Sequence, residues 1–175
     1  MKRFACTLLA ATLIGLIGAA TAVHAGGNSI GGGVHYLRNL ADIKNDPDIE
    51  WDNNSFGIIG SLQHSTAGLF KLEADAEYIT DFAGTGEAMW IPSGWVLAGH
   101  MLYGGAGIGI GHINGEWQSD PFYALRAGVD IPLTKMDLDL FGTYQFQKDE
   151  DLKKLTGDDL DSVTFAAVLR FKLGD

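Results

Sequence analysis

Ten charged residues recur at alternate positions in four short stretches of this sequence. Lys71, Glu73, Asp75 and Glu77 form one set, Arg126 and Asp130 a second, Asp137 and Asp139 a third, and Arg170 and Lys172 a fourth. On a β-strand, even spacing puts the members of each set on one face and the intervening residues on the other. If those faces line a narrow interior, the charges must pair, because an isolated charge in a low-dielectric space is very costly. Two behaviours follow from such a lining. One is a salt-bridged plug that fills the interior. The other is a gate whose pairs exchange partners to admit water and small ions.

Other stretches offer less chemistry. His64-Ser65 has the residue types of a base and a nucleophile, but no carboxylate is spaced to orient the imidazole, and the pair falls at a turn. His35 is expected to face the interior and His112 a rim, both in structural roles. Asp46, Asp48, Glu50 and Asp52 alternate as in a calcium loop, yet Trp51 replaces the turn glycine and Gly57 stands where the closing Glu belongs. That stretch reads as a solvated acidic loop, with weak divalent-cation bridging as its further expectation. The Gly-x-Gly run over Gly104 to Gly111 has no helix after it and no P-loop lysine. The residues therefore assign no catalytic, metal-binding or cofactor-binding site and call for no cofactor, and the expectation is a protein that is not an enzyme.

The elements that must carry the charged sets are strands. Val163, Phe165, Ala167, Leu169, Phe171 and Leu173 oppose Thr164, Ala166, Val168, Arg170 and Lys172. Phe70, Leu72, Ala74, Ala76 and Tyr78 oppose the Lys71 set, and Met136, Leu138, Leu140, Tyr144 and Phe146 oppose Asp137, Asp139, Thr143 and Gln145. Eight segments of this kind are expected: 28–37, 54–64, 69–80, 88–98, 101–113, 121–131, 136–147 and 162–173. Long connections (38–53, 81–87, 114–120, 148–161) alternate with short ones (65–68, 99–100, 132–135). An even strand number with alternating loop lengths is what a membrane barrel requires, with both termini on the periplasmic side. Strands of about 9 to 11 residues, tilted, cross the hydrocarbon layer. Closure satisfies edge amides that lipid cannot. The long connections hold 15 of the 22 acidic residues, so most of the negative charge lies outside the expected membrane.

Details fit a narrow barrel. Gly105, Gly107, Gly109 and Gly111 share one face of the fifth segment, leaving room for bulky interior side chains of neighbouring strands. Tyr36, Phe56, Tyr78, Trp117, Tyr123, Tyr144 and Phe146 gather toward outer strand ends, and Phe70 and Phe171 toward inner ones, as interfacial girdles do. Pro92 inside the fourth segment predicts a bulge or a late start there. Ahead of the barrel, Lys2 and Arg3, an apolar core from Leu8 to Ile17 and the Val23-His24-Ala25 site make residues 1–25 a cleavable signal peptide. The chain's single cysteine, Cys6, lies within it, so the exported part carries no thiol, as suits an oxidising compartment. Without Lys2 and Arg3, 10 basic residues face 22 acidic ones, a balance that argues against nucleic-acid binding.

Taken as a whole, residues 26–175 resemble the small outer-membrane β-barrels typified by the OmpA membrane domain and OmpX. Leu102-Tyr103-Gly104-Gly105-Ala106-Gly107-Ile108-Gly109-Ile110-Gly111 is similar to their Gly-rich strand, and Ala124-Leu125-Arg126-Ala127-Gly128-Val129-Asp130 to the strand that follows it. A departure is the ending Lys172-Leu173-Gly174-Asp175, where such chains carry a terminal aromatic read by the assembly machinery. The resemblance implies an all-β, eight-stranded, antiparallel up-and-down transmembrane barrel in the outer membrane. Its implied partners are outer-membrane lipid, lipopolysaccharide and the assembly machinery, with a monomeric state. The expected role is envelope integrity or surface interaction through acidic loops. A narrow pore for small solutes is the alternative, ahead of a lipid-modifying barrel enzyme or a soluble lipocalin-like binder.

Overall fold

The computed structural model describes residues 27–40, 54–66, 68–82, 86–146 and 161–173. The expected signal peptide, the Asp46–Asp52 acidic stretch, most of the 148–161 connection and the last two residues lie outside them. Period-two alternation becomes ten strands: β1 (Asn28–Asn39), β2 (Asn54–Ser65), β3 (Phe70–Ile79), β4 (Met89–Gly99), β5 (Leu102–Gly109), β6 (His112–Ile113), β7 (Glu116–Trp117), β8 (Phe122–Pro132), β9 (Met136–Phe146) and β10 (Ser162–Leu173). Eight of these are long and antiparallel, each beside its sequence neighbour. The pairing of β1 with β10 brings the ends of the sheet together, and β3 with β4 completes the ring. The expected eight-stranded up-and-down barrel is the observed architecture.

Register fixes its shape. Stepping between opposed residues from Asn28 through His64, Leu72, Val96, Ala106, Leu125, Tyr144 and Val163 returns to β1 at Arg38, ten residues farther along. A stagger of that size tilts the strands by about 40° to the barrel axis. Strand starts and ends then define two rims. The near rim holds Asn28 and Leu173 and the short turns; the far rim holds the ends that lead into the long connections.

The wall is inverted relative to a water-soluble barrel. Val34, Ile58, Leu102 and Phe165 stand outward and exposed, while Glu73, Asp75, Arg126 and Arg170 are buried within. A lipocalin-like binder would place its apolar residues inside, so that alternative is set aside. Large exposed apolar areas of this kind mark a surface meant for something other than water.

Two expectations change at the far rim. The fifth segment is interrupted: β5 stops at Gly109, β6 resumes the pairing with β4 in the same register at His112–Ile113, and β6 turns back as a hairpin with β7 inside the expected connection 114–120. Asn114 and Gly115 both take positive φ (56° and 80°), the turn that joins β6 to β7. Nor does Pro92 produce a bulge or a late start, since β4 pairs in continuous register with β3 through it. The interruption falls on the neighbour instead. Ile110 donates its amide to the Pro92 carbonyl at 3.2 Å, and proline has no N–H to return. Beyond that point Gly111 exchanges bonds with Gln118, its carbonyl accepting from the Gln118 amide at 2.9 Å and its amide donating to the Gln118 side chain at 3.0 Å.

The inward glycines of β5 make room as the spacing predicted. A Cβ at Gly107 would lie 2.4 Å from the Trp95 ring, and one at Gly109 2.4 Å from Phe122. Gly60 on β2 has open space around it. Gly107→Val should therefore abolish the compact, fast-migrating form on unboiled detergent gels, while Gly60→Val should keep it.

A candidate functional site in the barrel lumen

The alternation that drives apolar residues outward leaves the lumen to fill itself with what remains, and on β3, β8, β9 and β10 that is charge. Glu73 sits at the junction. Its Oε1 accepts hydrogen bonds from Arg126 Nη1 and Arg170 Nη2, both at 2.8 Å, and its Oε2 accepts from Gln63 Nε2 at 2.7 Å. Arg126 also donates through Nη2 to Asp75 at 2.8 Å and through Nε to Thr143 at 3.3 Å. Its guanidinium is stacked between the rings of Trp95 and Phe141, 3.8 and 3.9 Å from their centroids. Arg170 closes the other side by donating to Asp139 Oδ2 from Nη2 (2.7 Å) and Nε (3.0 Å), and to Ser61 from Nη1. Tyr103 donates to the second Asp139 oxygen at 2.7 Å.

Two further pairs lie toward the near rim. Lys71 contacts Asp130, donates to the His100 carbonyl and lies over the Tyr103 ring. Lys172, half exposed, is 3.2 Å from Asp137. Toward the far rim, Glu77 meets His35, whose Nδ1 lies 3.0 Å from Glu77 Oε2 without hydrogen-bond alignment. The His35 ring lies against Gly57, where a Cβ would be 2.1 Å from Nε2. All ten charged residues singled out by their spacing thus occupy the inward-alternating positions, and seven of them are buried.

The remaining candidates separate from this lattice. His64 sits at the near rim with Nδ1 2.8 Å from Asn28 Oδ1, and the Ser65 amide donates to the Gly27 carbonyl. Neither is arranged as a base with its nucleophile. His112 packs edge-on against Trp117 at the far rim, 4.7 Å between centroids. The aromatics expected there do form neighbouring pairs: Tyr36 with Phe56, Tyr144 with Phe146, and Tyr78 with Trp90, which the spacing argument had left out.

Sequence reasoning missed two other parts of the lumen. Strict parity from Asp139 and Thr143 places Phe141 inward, but as an aromatic between charges it reads as a break in the pattern rather than as a platform for Arg126. Leu37, Ile59, Ile79, Met89, Ile91 and Phe122 are also buried in the interior, mostly in its far half. The interior is therefore a charged lattice below and, above it, a mixed filling in which these apolar side chains meet buried Ser55, Gln145, Ser162 and Thr164, with His35 and Glu77 between. On β4 both faces are apolar, so alternation alone could not find the boundary.

Removing one member of a buried charge lattice exposes the desolvation cost of the others. Arg126→Leu leaves Asp75 without its guanidinium and Glu73 with one, and should destabilise the barrel by about 3–5 kcal/mol in reversible urea unfolding. Asp75→Asn added to that variant should recover part of the loss.

No family model matches the sequence, and no curated protein matches it. Solved structures do. The fold is similar to that of Neisserial surface protein A, with a TM-score of 0.62 at 12% identity over 83% of this chain and 97% of that one. It is also similar to the outer membrane protein OprG from Pseudomonas aeruginosa, with a TM-score of 0.57 at 14% identity over 86% and 97%. At such identities the likeness is one of fold, that of the small eight-stranded outer-membrane β-barrels.

Proposed function

We propose that this chain, which has the small outer-membrane β-barrel fold, is an integral outer-membrane protein that serves the envelope as a closed barrel and performs no catalysis. The observation that carries this reading is the Glu73-centred lattice. Two hydrogen-bonded guanidiniums, that of Arg126 also stacked between aromatic rings, bridge β3 to β8 and β10 across the lumen, and a cluster of buried apolar side chains lies beyond them. A lumen filled this way favours rigidity over passage. The outward apolar surface supports a lipid environment, and the far-rim aromatics support an interfacial girdle on that side. In this reading residues 1–25 direct export and 26–175 form the barrel. It is a monomer placed by the outer-membrane assembly machinery among lipid and lipopolysaccharide. The acidic connections 38–53 and 148–161 would be its means of surface interaction, through divalent cations bridged to lipopolysaccharide phosphates or through a partner.

A second reading is favoured by a specific observation. Asp75 Oδ1, Glu77 Oε2 and both ring nitrogens of His35 are buried without hydrogen-bond partners. Buried polar atoms in that state are where water enters. A hydrated track past the lattice would make the protein a narrow pore for ions, with the pairs as its gate.

Planar-bilayer recording of the purified barrel separates the two. Silence from both the parent and Arg126→Ala supports the closed barrel. Stepwise conductance from the parent would overturn it in favour of the pore. Conductance from Arg126→Ala alone would mean that the lattice is the seal.

A further inference from the structure

Beside the polar residues usual in turns, such as His100, Thr134 and Lys135, each near-rim turn here also holds out a large apolar side chain. Leu69, Met101 and Leu133 stand in the three short turns with relative exposures of 56%, 58% and 46%. Each belongs to an ordered turn. The Leu69 carbonyl accepts from the Gly99 amide at 2.8 Å, the Met101 carbonyl from the Asp130 amide at 2.7 Å, and the Leu133 amide donates to the Met136 carbonyl at 2.8 Å. These side chains continue without a break into the exposed apolar residues that begin the wall, among them Phe70, Leu102 and Ile131. Neither tyrosine nor tryptophan lies outward at this rim among the described residues, whereas Tyr36, Tyr78, Trp90 and Tyr123 do so toward the far rim.

The height of the apolar surface gives this asymmetry a meaning. From Phe70 to Tyr78 on β3 the wall rises about 20 Å, taking about 3.3 Å per residue and a tilt of about 40°. Barrels of this kind present an apolar band about 25 Å tall between their interfaces. With Tyr78 at one interface, β3 alone stops short of the other by about the depth of its turn. Leu69, Met101 and Leu133 fill that shortfall. Lys135, exposed beside Leu133 and without an ion pair among the described residues, can extend its ammonium from this depth to lipid phosphates.

We propose that the near-rim turns are part of the membrane-contacting surface: Leu69, Met101 and Leu133 insert into the glycerol and upper acyl region of a phospholipid leaflet, with Lys135 at its phosphates. The inference rests on the integral-membrane reading above, and its test separates the two. In the full chain carrying Cys6→Ser, single cysteines are placed at Met101, Leu133, Ile58 on the outer wall and Glu116 on the far-rim hairpin, and each is spin-labelled after refolding into phosphatidylethanolamine–phosphatidylglycerol vesicles. The ratio of collision with oxygen to collision with a water-soluble nickel chelate reports depth. Labels at 101 and 133 should give ratios several-fold above that at 116 and below that at 58. Ratios at 101 and 133 equal to that at 116, with 58 still deep, would overturn the proposal and leave the membrane reading standing. A water-like ratio at 58 as well would overturn both. In the unlabelled chain, Leu133→Asp combined with Met101→Asp should reduce the yield of folded barrel in these vesicles while leaving folding in detergent micelles unchanged; equal yields in vesicles would count against the proposal.

Discussion

A single carboxylate organises the interior. Glu73 accepts from two guanidiniums that reach it from across the lumen, Arg126 on β8 and Arg170 on β10, the strands on either side of β9. Each of those cations is then obliged to find a second acceptor, Asp75 for one and Asp139 for the other. Asp139 in turn brings in Tyr103 from β5, and Glu73 itself brings in Gln63 from β2. Strands that never touch through their backbones are thereby tied through the lumen. Burying so many charges confers little net stability relative to an apolar filling, but it makes the arrangement selective. A misregistered strand would strand a charge.

The same economy governs the outside. A soluble domain gains its stability by hiding apolar side chains in a shared core. Here more of the large ones face outward than inward, and the closed hydrogen-bonded wall is what makes that orientation tolerable. No strand of the ring is left with an unpaired edge along its length, and a ring of eight leaves an interior just large enough for side chains to fill. Packing, charge pairing and closure are therefore a single constraint seen from different sides. The β5 glycines belong to it too, since Trp95, Leu97 and Phe122 occupy the space that their missing side chains leave.

Much of this was legible along the chain because a wall with two chemically opposite faces writes itself as alternation. On β3, Lys71 through Glu77 state the inward face directly, and β10 does the same through Arg170. Strand boundaries fell within a few residues for the same reason. What alternation could not resolve lies where both faces are apolar or where one residue has two neighbours to satisfy. Trp95 and Leu97 on β4 look no different in sequence from Trp90 and Val96, yet the first two are buried and the others exposed. The effect of Pro92 was misplaced because its missing donor is felt by Ile110 on the adjoining strand, a relationship that exists only once the register is known. Partner choice within the lattice was likewise unreadable, since Glu73, Asp75 and Glu77 are equivalent in sequence until the tilt sets their heights.

The ten-residue return from Asn28 to Arg38 has a consequence for how such a molecule could ever change state. Strand number and stagger together set the circumference of the ring, and neither can vary by a fraction. The wall is thus a hoop of fixed girth that can neither dilate nor constrict without exchanging a whole set of backbone bonds. Whatever room the interior gains or loses must come from rotamers alone. Any opening of this interior would be a matter of how a few long side chains lie down or stand up, inside a frame that does not breathe.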